Sequence, residues 1–134
     1  MTANLTDIDY MALAEFRFAL RSFQVFSEAK AAAAGLKPQQ HQALLAIRAA
    51  APDDATVGYV AQRLIVKPHT ASELIDRLEA LGLVRREPTQ SDRRRALLRL
   101  TPRASEILSD LSSAHREEIR RLQPLLVEHL VRLT

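Results

Sequence analysis

The sequence predicts a mainly helical fold that carries one small β-hairpin, an α+β architecture. Apolar residues recur every three or four positions over most of its 134 residues, which is the spacing of amphipathic helices. Glycine or proline stands where these segments should begin or end. Between residues 83 and 100 the helical spacing is lost, and two short apolar runs flank a polar loop. That pattern is typical of a hairpin.

The composition favours a single globular domain with a packed core, since 47% of the residues are hydrophobic. The absence of cysteine excludes disulfides and thiolate metal sites. The chain contains no run of 18 apolar residues and does not begin with the basic-then-apolar pattern of a signal peptide. We therefore expect a cytoplasmic protein without a membrane span.

The first predicted helix covers residues 6–34, with Thr6 or Asp7 as its N-cap and Gly35 as its stop. All four phenylalanines (16, 18, 23 and 26) and Tyr10 fall in this segment. One small core has little use for so much aromatic surface on one helix. Ordinary core packing is one interpretation, and a subunit interface or the wall of a pocket is the other.

Three further helices are predicted before the hairpin. Pro38 begins one that runs to about Ala51, Thr56 caps a short one, and Pro68 begins a third. Lys37 is a poor N-cap, so we expect the start at Pro38 to depend on packing. The last two helices are joined by about three residues, which predicts a helix-turn-helix. The final helix buries a stripe and ends before Gly82. That stripe consists of Leu74, Ile75, Leu78 and Leu81.

A hairpin follows, with strands predicted at residues 83–86 and 96–100, and it makes the motif a winged helix-turn-helix. Residues 85–99 hold six arginines against Glu87 and Asp92, a net charge of +4, whereas the whole chain carries +3. The basicity is therefore local, and a cationic hairpin tip suits a surface that meets phosphates.

Thr101 and Pro102 predict the start of a C-terminal helix, and Pro124 begins or kinks into a last one. The apolar stripes of these helices have no partner left within one winged helix. We therefore expect residues 1–36 and 101–134 to form a helical dimerisation region of a homodimer. Residues 37–100 would form the winged helix-turn-helix lobe, and the whole would be one continuous domain.

The helix that begins at Pro68 is the predicted recognition helix, whose N-terminal turns reach base edges in the major groove. His69 and Ser72 can donate to or accept from bases, and Glu73 can accept from a cytosine amino group. We expect Asp76 to be paired with Arg77 or a wing arginine. The alternative for each residue is a solvated helix face. The candidate contacts are Lys67, Pro68, His69, Thr70, Ser72, Glu73 and Arg77.

On the wing, the candidate contacts are Asp92, Arg93, Arg94 and Arg95. An arginine at a hairpin tip can enter a narrow minor groove, and Asp92 can fix one guanidinium in orientation. The alternative is a surface ion pair worth roughly 0–1 kcal/mol. Three adjacent arginines repel each other unless an anion is near, which favours the DNA-binding interpretation.

These segments resemble the MarR family (multiple antibiotic resistance regulators) of bacterial repressors. The supporting residues are the run 70–78, the exit 81–84 and the wing signature Asp92-Arg93-Arg94 leading to Leu100-Thr101. The order of elements matches over essentially the whole chain. The resemblance implies a homodimeric transcription regulator on a near-palindromic double-stranded operator, associated with the nucleoid when bound. Lys67 departs from the family's usual serine or threonine cap, and Glu73 from its usual basic or neutral residue.

The family commonly binds small anionic or phenolic effectors between its DNA-binding lobe and its dimerisation helices. By that resemblance, and because they combine aromatic walls with groups able to hold an anion, we predict an effector pocket at Phe16, Arg17, Phe23 and His41. Core packing is the alternative for these residues.

Two other functions stay open on the sequence. The histidines (41, 69, 115 and 129) show no i, i+4 pair and no glycine-rich phosphate loop is present, so we predict no enzyme, cofactor or resident metal. A zinc-responsive regulator could nevertheless use His41, His115 or His129 with Glu118 or Glu128. A winged helix that contacts only proteins is the second alternative. It predicts that changing the wing arginines leaves DNA affinity untouched.

Overall fold

The computed structural model describes residues 4–89 and 95–133. It confirms the predicted helical fold with one hairpin. In chain order the elements are α1 (Asp7–Ala33), α2 (Pro38–Ala49), α3 (Val57–Leu64), α4 (Pro68–Ala80), β1 (Val84–Pro88), β2 (Ala96–Leu100) and α5 (Pro102–Leu133). The two strands are antiparallel, with Val84 opposite Leu100 and Pro88 opposite Ala96.

The chain divides into two units. Ala31–Leu111 contains the helix-turn-helix and the hairpin, and the other unit is formed by the chain up to Lys30 and from Ser112 onward. None of the helices in residues 4–89 and 95–133 is long and apolar enough to cross a membrane.

The Ala31–Leu111 unit has one continuous hydrophobic core, to which all three central helices and both strands contribute. Its largest fully buried side chains are Leu44, Val60, Ile75, Leu78 and Leu98. Burial of this apolar area is the main force that holds α4 in place. The predicted stripe of α4 is confirmed except at its last member. Leu81 is 47% exposed, because the helix ends at Ala80 and Leu81 is its C-cap.

The predicted glycine stops are confirmed at both α1 and α4. Gly35 has a φ of 80°, and the N–H of Leu36 donates to the Ala31 carbonyl at 2.9 Å. Gly82 has a φ of 74°, and the N–H of Leu83 donates to the Leu78 carbonyl at 2.9 Å. These are Schellman ends, in which a left-handed residue lets the chain turn back and satisfy a terminal carbonyl.

The end of α3 has the same geometry without a glycine. The N–H of Val66 donates to the Ala61 carbonyl at 3.0 Å, and Ile65 occupies the left-handed position with a φ of 55°. A left-handed conformation costs a residue with a Cβ about 1–2 kcal/mol. Among residues 4–89 and 95–133, Ile65 is the one non-glycine residue with a positive φ.

Hydroxyl N-caps are confirmed at Thr6, Thr56 and Thr101. Their Oγ1 atoms accept from backbone N–H groups three residues later, at 3.3, 3.2 and 3.2 Å respectively. The sequence predicted that the start of α2 depends on packing, because Lys37 is a poor N-cap. The structure adds a hydrogen bond to that packing. The N–H of Lys37 donates to Oε1 of Gln40 at 2.9 Å, so a side chain inside the helix satisfies the backbone before it.

The C-terminal segment forms one helix, so of the two expectations for Pro124 the start of a separate last helix was wrong. α5 covers 32 residues with Pro124 inside it. A proline in a helix removes one i to i−4 hydrogen bond. The remaining bonds on either side continue the helix here.

The unit that contains the chain ends buries a small polar group among its aromatic residues. Nε2 of the buried His115 lies 2.8 Å from Oγ of Ser27. The rings of Phe23 and Phe26 meet the imidazole edge-on, at centroid distances of 5.7 and 5.4 Å. Large apolar side chains nevertheless remain exposed on both helices of this unit. They include Ile8, Met11, Phe18 and Val25 of α1 and Leu125, Val127, Leu130 and Val131 of α5.

Candidate nucleic-acid interface

The outward side of α4 carries the predicted contact residues. Because Ala71, Leu74, Ile75 and Leu78 are buried in the core, the opposite face of the helix is left to solvent. Thr70 and Ser72 are half-buried there. The exposed members of the predicted set are Lys67, Pro68, His69, Glu73 and Arg77.

The start of α4 is open and electrically positive. Lys67 is the N-cap in an extended conformation, Pro68 follows at the first helical position, and no side chain caps the helix. The first intrahelical bond runs from Ala71 N–H to the Lys67 carbonyl at 3.1 Å, so the N–H groups of His69 and Thr70 have no intrahelical partner.

The first turn of α4 also lacks acidic residues. In contrast, α1 begins with the Thr6 cap and carries two aspartates in its first turn. A helix start of this kind, with a lysine beside it, is suited to an anion such as phosphate.

Arg86 on β1 joins the hairpin to α4. Its Nη2 lies 2.8 Å from Oδ1 of Asp76, and its Nη1 lies 3.0 Å from Oε1 of Glu79. This confirms that Asp76 pairs with an arginine of the wing, and the partner is Arg86 rather than Arg77. The sequence reasoning missed Glu79, although its position three residues after Asp76 places both carboxylates on one helix face. The single positive charge of Arg86 offsets part of the negative charge of Asp76 and Glu79 beside the candidate interface.

The hairpin's outer face carries two further arginines. Arg85 and Arg99 are directly opposite each other across the strands. Nε of Arg99 lies 3.2 Å from Oε2 of Glu87, whereas Arg85 is exposed and forms no ion pair within residues 4–89 and 95–133. Like charges in a cross-strand pair are destabilising, so an anion near Arg85 would relieve the repulsion. Successive side chains of a strand point to opposite faces, and this alternation is the sequence signal that could have identified Arg85 as a residue of the hairpin's outer face.

Of the predicted wing contacts, only Arg95 belongs to the described residues. It is exposed, and its carbonyl accepts a hydrogen bond from Oγ1 of Thr89 at 3.0 Å. Asp92, Arg93 and Arg94 lie outside the described residues, and their roles stay predictions.

An open cleft of about 330 Å³ separates the start of α2 from the outer face of α4. Glu73 lines it together with two cationic residues, Lys37 and Arg77, but forms no ion pair within the described part of the chain. The cleft places Glu73 beside two cations as well as on the outward face of α4. The other lining residues are Pro38, Gln39, Gln40, Thr70 and Leu74.

The residues predicted to bind an effector belong to both units. Phe16 and Phe23 are half-buried on α1, and Arg17 is exposed beside them in sequence. His41 is buried within the Ala31–Leu111 unit. The effector pocket stays a prediction.

In the part of the chain that the structure describes, no cluster of side chains forms a zinc site. No three His, Asp or Glu side chains within residues 4–89 and 95–133 are close enough together to hold a metal ion. Metal analysis of the purified protein remains the direct test of that alternative.

Part of the chain matches a known protein-family model. Residues 34–95 match the family model described as MarR family. No curated protein sequence matches the chain closely enough to count as a relative.

Solved structures of similar fold match most of the chain. AbsC, a MarR family transcriptional regulator from Streptomyces coelicolor, is 25% identical with a TM-score of 0.72, covering 99% of this chain and 85% of its own. MepR from S. aureus in complex with DNA is 23% identical with a TM-score of 0.71, covering 92% and 86%. CouR from Rhodococcus jostii RHA1, bound to p-coumaroyl-CoA, is 22% identical with a TM-score of 0.65, covering 75% and 69%. The last two show likeness of fold.

Proposed function

Because the chain belongs to the MarR family of transcription regulators, we propose that it is a homodimeric, sequence-specific DNA-binding repressor that a small aromatic or anionic effector releases from its operator. The observation that carries the DNA-binding part is the start of α4. There Lys67 is exposed, two N–H groups have no intrahelical partner, and neither an acidic residue nor a side-chain cap is present in the first turn. Such an end is unfavourable for the isolated helix and favourable beside a phosphate.

We assign different roles to the two parts of the interface. His69, Ser72 and Glu73 of α4 would contact base edges, while Lys67 holds the phosphate backbone. Arg95 and its neighbours in the loop would approach the adjacent minor groove. The S. aureus MepR structure of the same fold is a complex with DNA, which supports DNA binding by this fold.

The proposed dimer rests on the apolar side chains that α1 and α5 expose. Phe18 and Val25 are each 67% exposed, and Val131 is 66% exposed. Exposed apolar surface of this extent usually marks an interface. A two-fold dimer would place two half-sites about one helical turn, ~34 Å, apart on DNA. Light scattering coupled to size exclusion tests the dimer, and a single-chain mass at micromolar concentration would contradict it.

Selection of bound fragments from random duplex DNA is the experiment that tests the proposed function. We expect a near-palindromic consensus, and an affinity that falls steeply with salt by roughly 0.9 log units per tenfold salt for each phosphate neutralised. A winged helix that contacts only proteins would enrich no sequence. Arg94→Ala should weaken binding strongly, and unchanged affinity would contradict the wing assignment.

Replacement of base-reading residues should change sequence preference rather than overall affinity. We expect His69→Ala or Ser72→Ala to lose about 1–3 kcal/mol of discrimination at one base position. A panel of duplexes with single substitutions, titrated by fluorescence anisotropy, measures this. Lys67→Ala is the matched comparison, since it should weaken all duplexes alike. Uniform weakening by the His69 or Ser72 variants would show that they contact only the backbone.

The Arg86 ion pairs should affect DNA binding more than stability. Arg86→Met leaves two carboxylates unpaired on α4, so we expect affinity to fall about tenfold. Partly exposed pairs contribute only about 0–1 kcal/mol each to folding, so the free energy of unfolding should change little. The measurements are an anisotropy titration and urea unfolding.

The opposite charge change provides the control for Arg86→Met. A double variant, Asp76→Asn with Glu79→Gln, removes both carboxylates and leaves the guanidinium free. We expect it to bind DNA more tightly than the wild-type chain. If both variants instead weaken binding, the ion pairs serve to orient the hairpin, and the electrostatic explanation is wrong.

For the effector, we propose a small aromatic carboxylate or a related anionic ester. The CouR structure contains p-coumaroyl-CoA, which supports an aromatic acyl group as one chemical class. Thermal-shift screening with aromatic carboxylates tests the proposal, with Phe23→Ala as the variant in which stabilisation should disappear. Absence of stabilisation by any compound in the panel would contradict it.

A further inference from the structure

Three helices of the chain end with the same backbone geometry, but only one uses a residue that is costly there. The left-handed position is occupied by Gly35 after α1 and by Gly82 after α4. After α3 it is occupied by Ile65, at φ 55° and ψ 52°. Glycine adopts this conformation without steric penalty, whereas the Cβ of a β-branched residue meets the backbone. The fold alone would therefore favour glycine at position 65.

Core packing does not account for the isoleucine. Its neighbours Leu64 and Val66 pack against the hydrophobic core, but the side chain of Ile65 is 90% exposed. A single exposed apolar residue is ordinary on a protein surface. A β-branched residue held in the left-handed region is a genuine outlier, and such outliers concentrate at functional sites. The combination indicates that something outside the chain contacts this side chain.

The position of Ile65 identifies the partner. It lies in the turn between the two helices of the helix-turn-helix, two residues before Lys67 and next to the open start of α4. Any duplex whose phosphates reach Lys67 and the free N–H groups of α4 passes close to this turn. Beside its phosphates such a duplex presents apolar groups, namely the deoxyribose carbons and, among the polar base edges of the groove, the thymine methyl groups.

We propose that Ile65 is a DNA-contact residue that packs its aliphatic side chain against apolar groups at the edge of the groove entered by α4. The inference rests on the proposed DNA-binding function and adds a residue and an interaction to it. Lys67 supplies charge to the phosphate, and Ile65 supplies apolar area to the sugar or methyl group beside it.

Ile65→Asn separates this contact from the fold. Asparagine tolerates the left-handed backbone, so we expect the melting temperature to rise by about 2–6 °C. The apolar contact is lost in both protomers, and the Kd for the selected duplex should increase roughly tenfold. The slope of log Kd against log salt should keep its wild-type value, because no phosphate contact is removed.

Ile65→Leu is the matched control. It keeps an aliphatic side chain of the same size but moves the branch away from Cβ, which lessens the strain. We expect its Kd to stay close to that of the wild-type chain while its melting temperature rises slightly. A loss of affinity in Ile65→Leu equal to that in Ile65→Asn would overturn an apolar contact.

Duplexes with single thymines replaced by uracil distinguish the two sources of apolar surface. A thymine methyl contact predicts that one replacement weakens the wild-type chain but not Ile65→Asn. A deoxyribose contact predicts that uracil affects both proteins equally. The proposal would be overturned if Ile65→Asn bound DNA as tightly as the wild-type chain. It would also be overturned if the variant had a lower melting temperature and this loss of stability accounted for its weaker binding. If the wild-type chain selects no DNA, the proposed function fails, and this contact fails with it.

Discussion

Leu78→Ala should lower the free energy of unfolding by about 2–5 kcal/mol. Leu78 is fully buried on α4 and belongs to the same core cluster as Leu44, Val60 and Leu98. Truncation removes apolar contact and leaves a cavity that the surrounding helices fill only in part. Domains are usually stable by about 5–15 kcal/mol, so this one change removes a large share. Urea unfolding followed by circular dichroism measures it.

Leu81→Ala is the matched control for this truncation. It makes the same chemical change three residues later, at the C-cap of α4, where the side chain is 47% exposed. We expect it to cost less than about 1 kcal/mol, as is usual for partly exposed positions. Equal losses in the two variants would contradict the packing of α4 through its buried face. When their DNA affinities are measured as well, Leu78→Ala and Leu81→Ala also provide a reference for every DNA-binding variant on α4. They show how far a loss of folding stability alone lowers the affinity.

The parts of the fold that could be predicted from the sequence are those decided by short-range physics. Gly35 and Gly82 stop their helices because a left-handed residue is needed there, and threonines at 6, 56 and 101 cap theirs with one hydroxyl. Periodicity identified the buried face of α4 because solvent exclusion acts on one side of the helix. Each of these signals lies within a few residues of the feature that it predicts.

The errors have physical reasons that sequence spacing does not contain. A proline that usually begins a helix can also lie inside one, and Pro124 does so because the bonds on both sides continue. The joint of about three residues after α3 was predicted, but its left-handed conformation carries no sequence signal, since Ile65 has almost the lowest intrinsic preference for it. In the candidate site, the pairing of Asp76 with a wing arginine could be predicted from charge. The choice of Arg86, with Glu79 as second partner, depends on how β1 lies beside α4.

Lys67→Glu should weaken DNA binding about 10–100-fold at physiological salt without lowering the stability of the fold. DNA affinity and folding stability are expected to change in different directions because the two changes have different physical origins. In the free protein, a lysine at the positive end of α4 is unfavourable, and a glutamate there would gain about 0.3–1 kcal/mol from the helix dipole. Beside DNA, the same glutamate loses a phosphate contact and adds repulsion in both protomers. The melting temperature should therefore stay constant or rise while the Kd increases.

Lys30→Glu controls for the change in net charge. Lys30 is another of the chain's three lysines, and its ammonium group lies 5.6 Å from the centre of the Phe26 ring on α1. Because both variants change the charge equally, a purely long-range effect would weaken binding by the same factor in each. A contact at α4 predicts a much larger loss for Lys67→Glu.

The salt dependence then distinguishes the two neighbouring residues at the start of α4. Loss of one phosphate contact per protomer should make the slope of log Kd against log salt shallower by about two units for Lys67→Glu. Ile65→Asn should lower affinity by a constant factor at every salt concentration. Because both residues lie in the same turn, a misplaced or partly unfolded α4 would change both variants in the same way. Different salt responses therefore require that the turn contacts DNA through a charged group and an apolar group together.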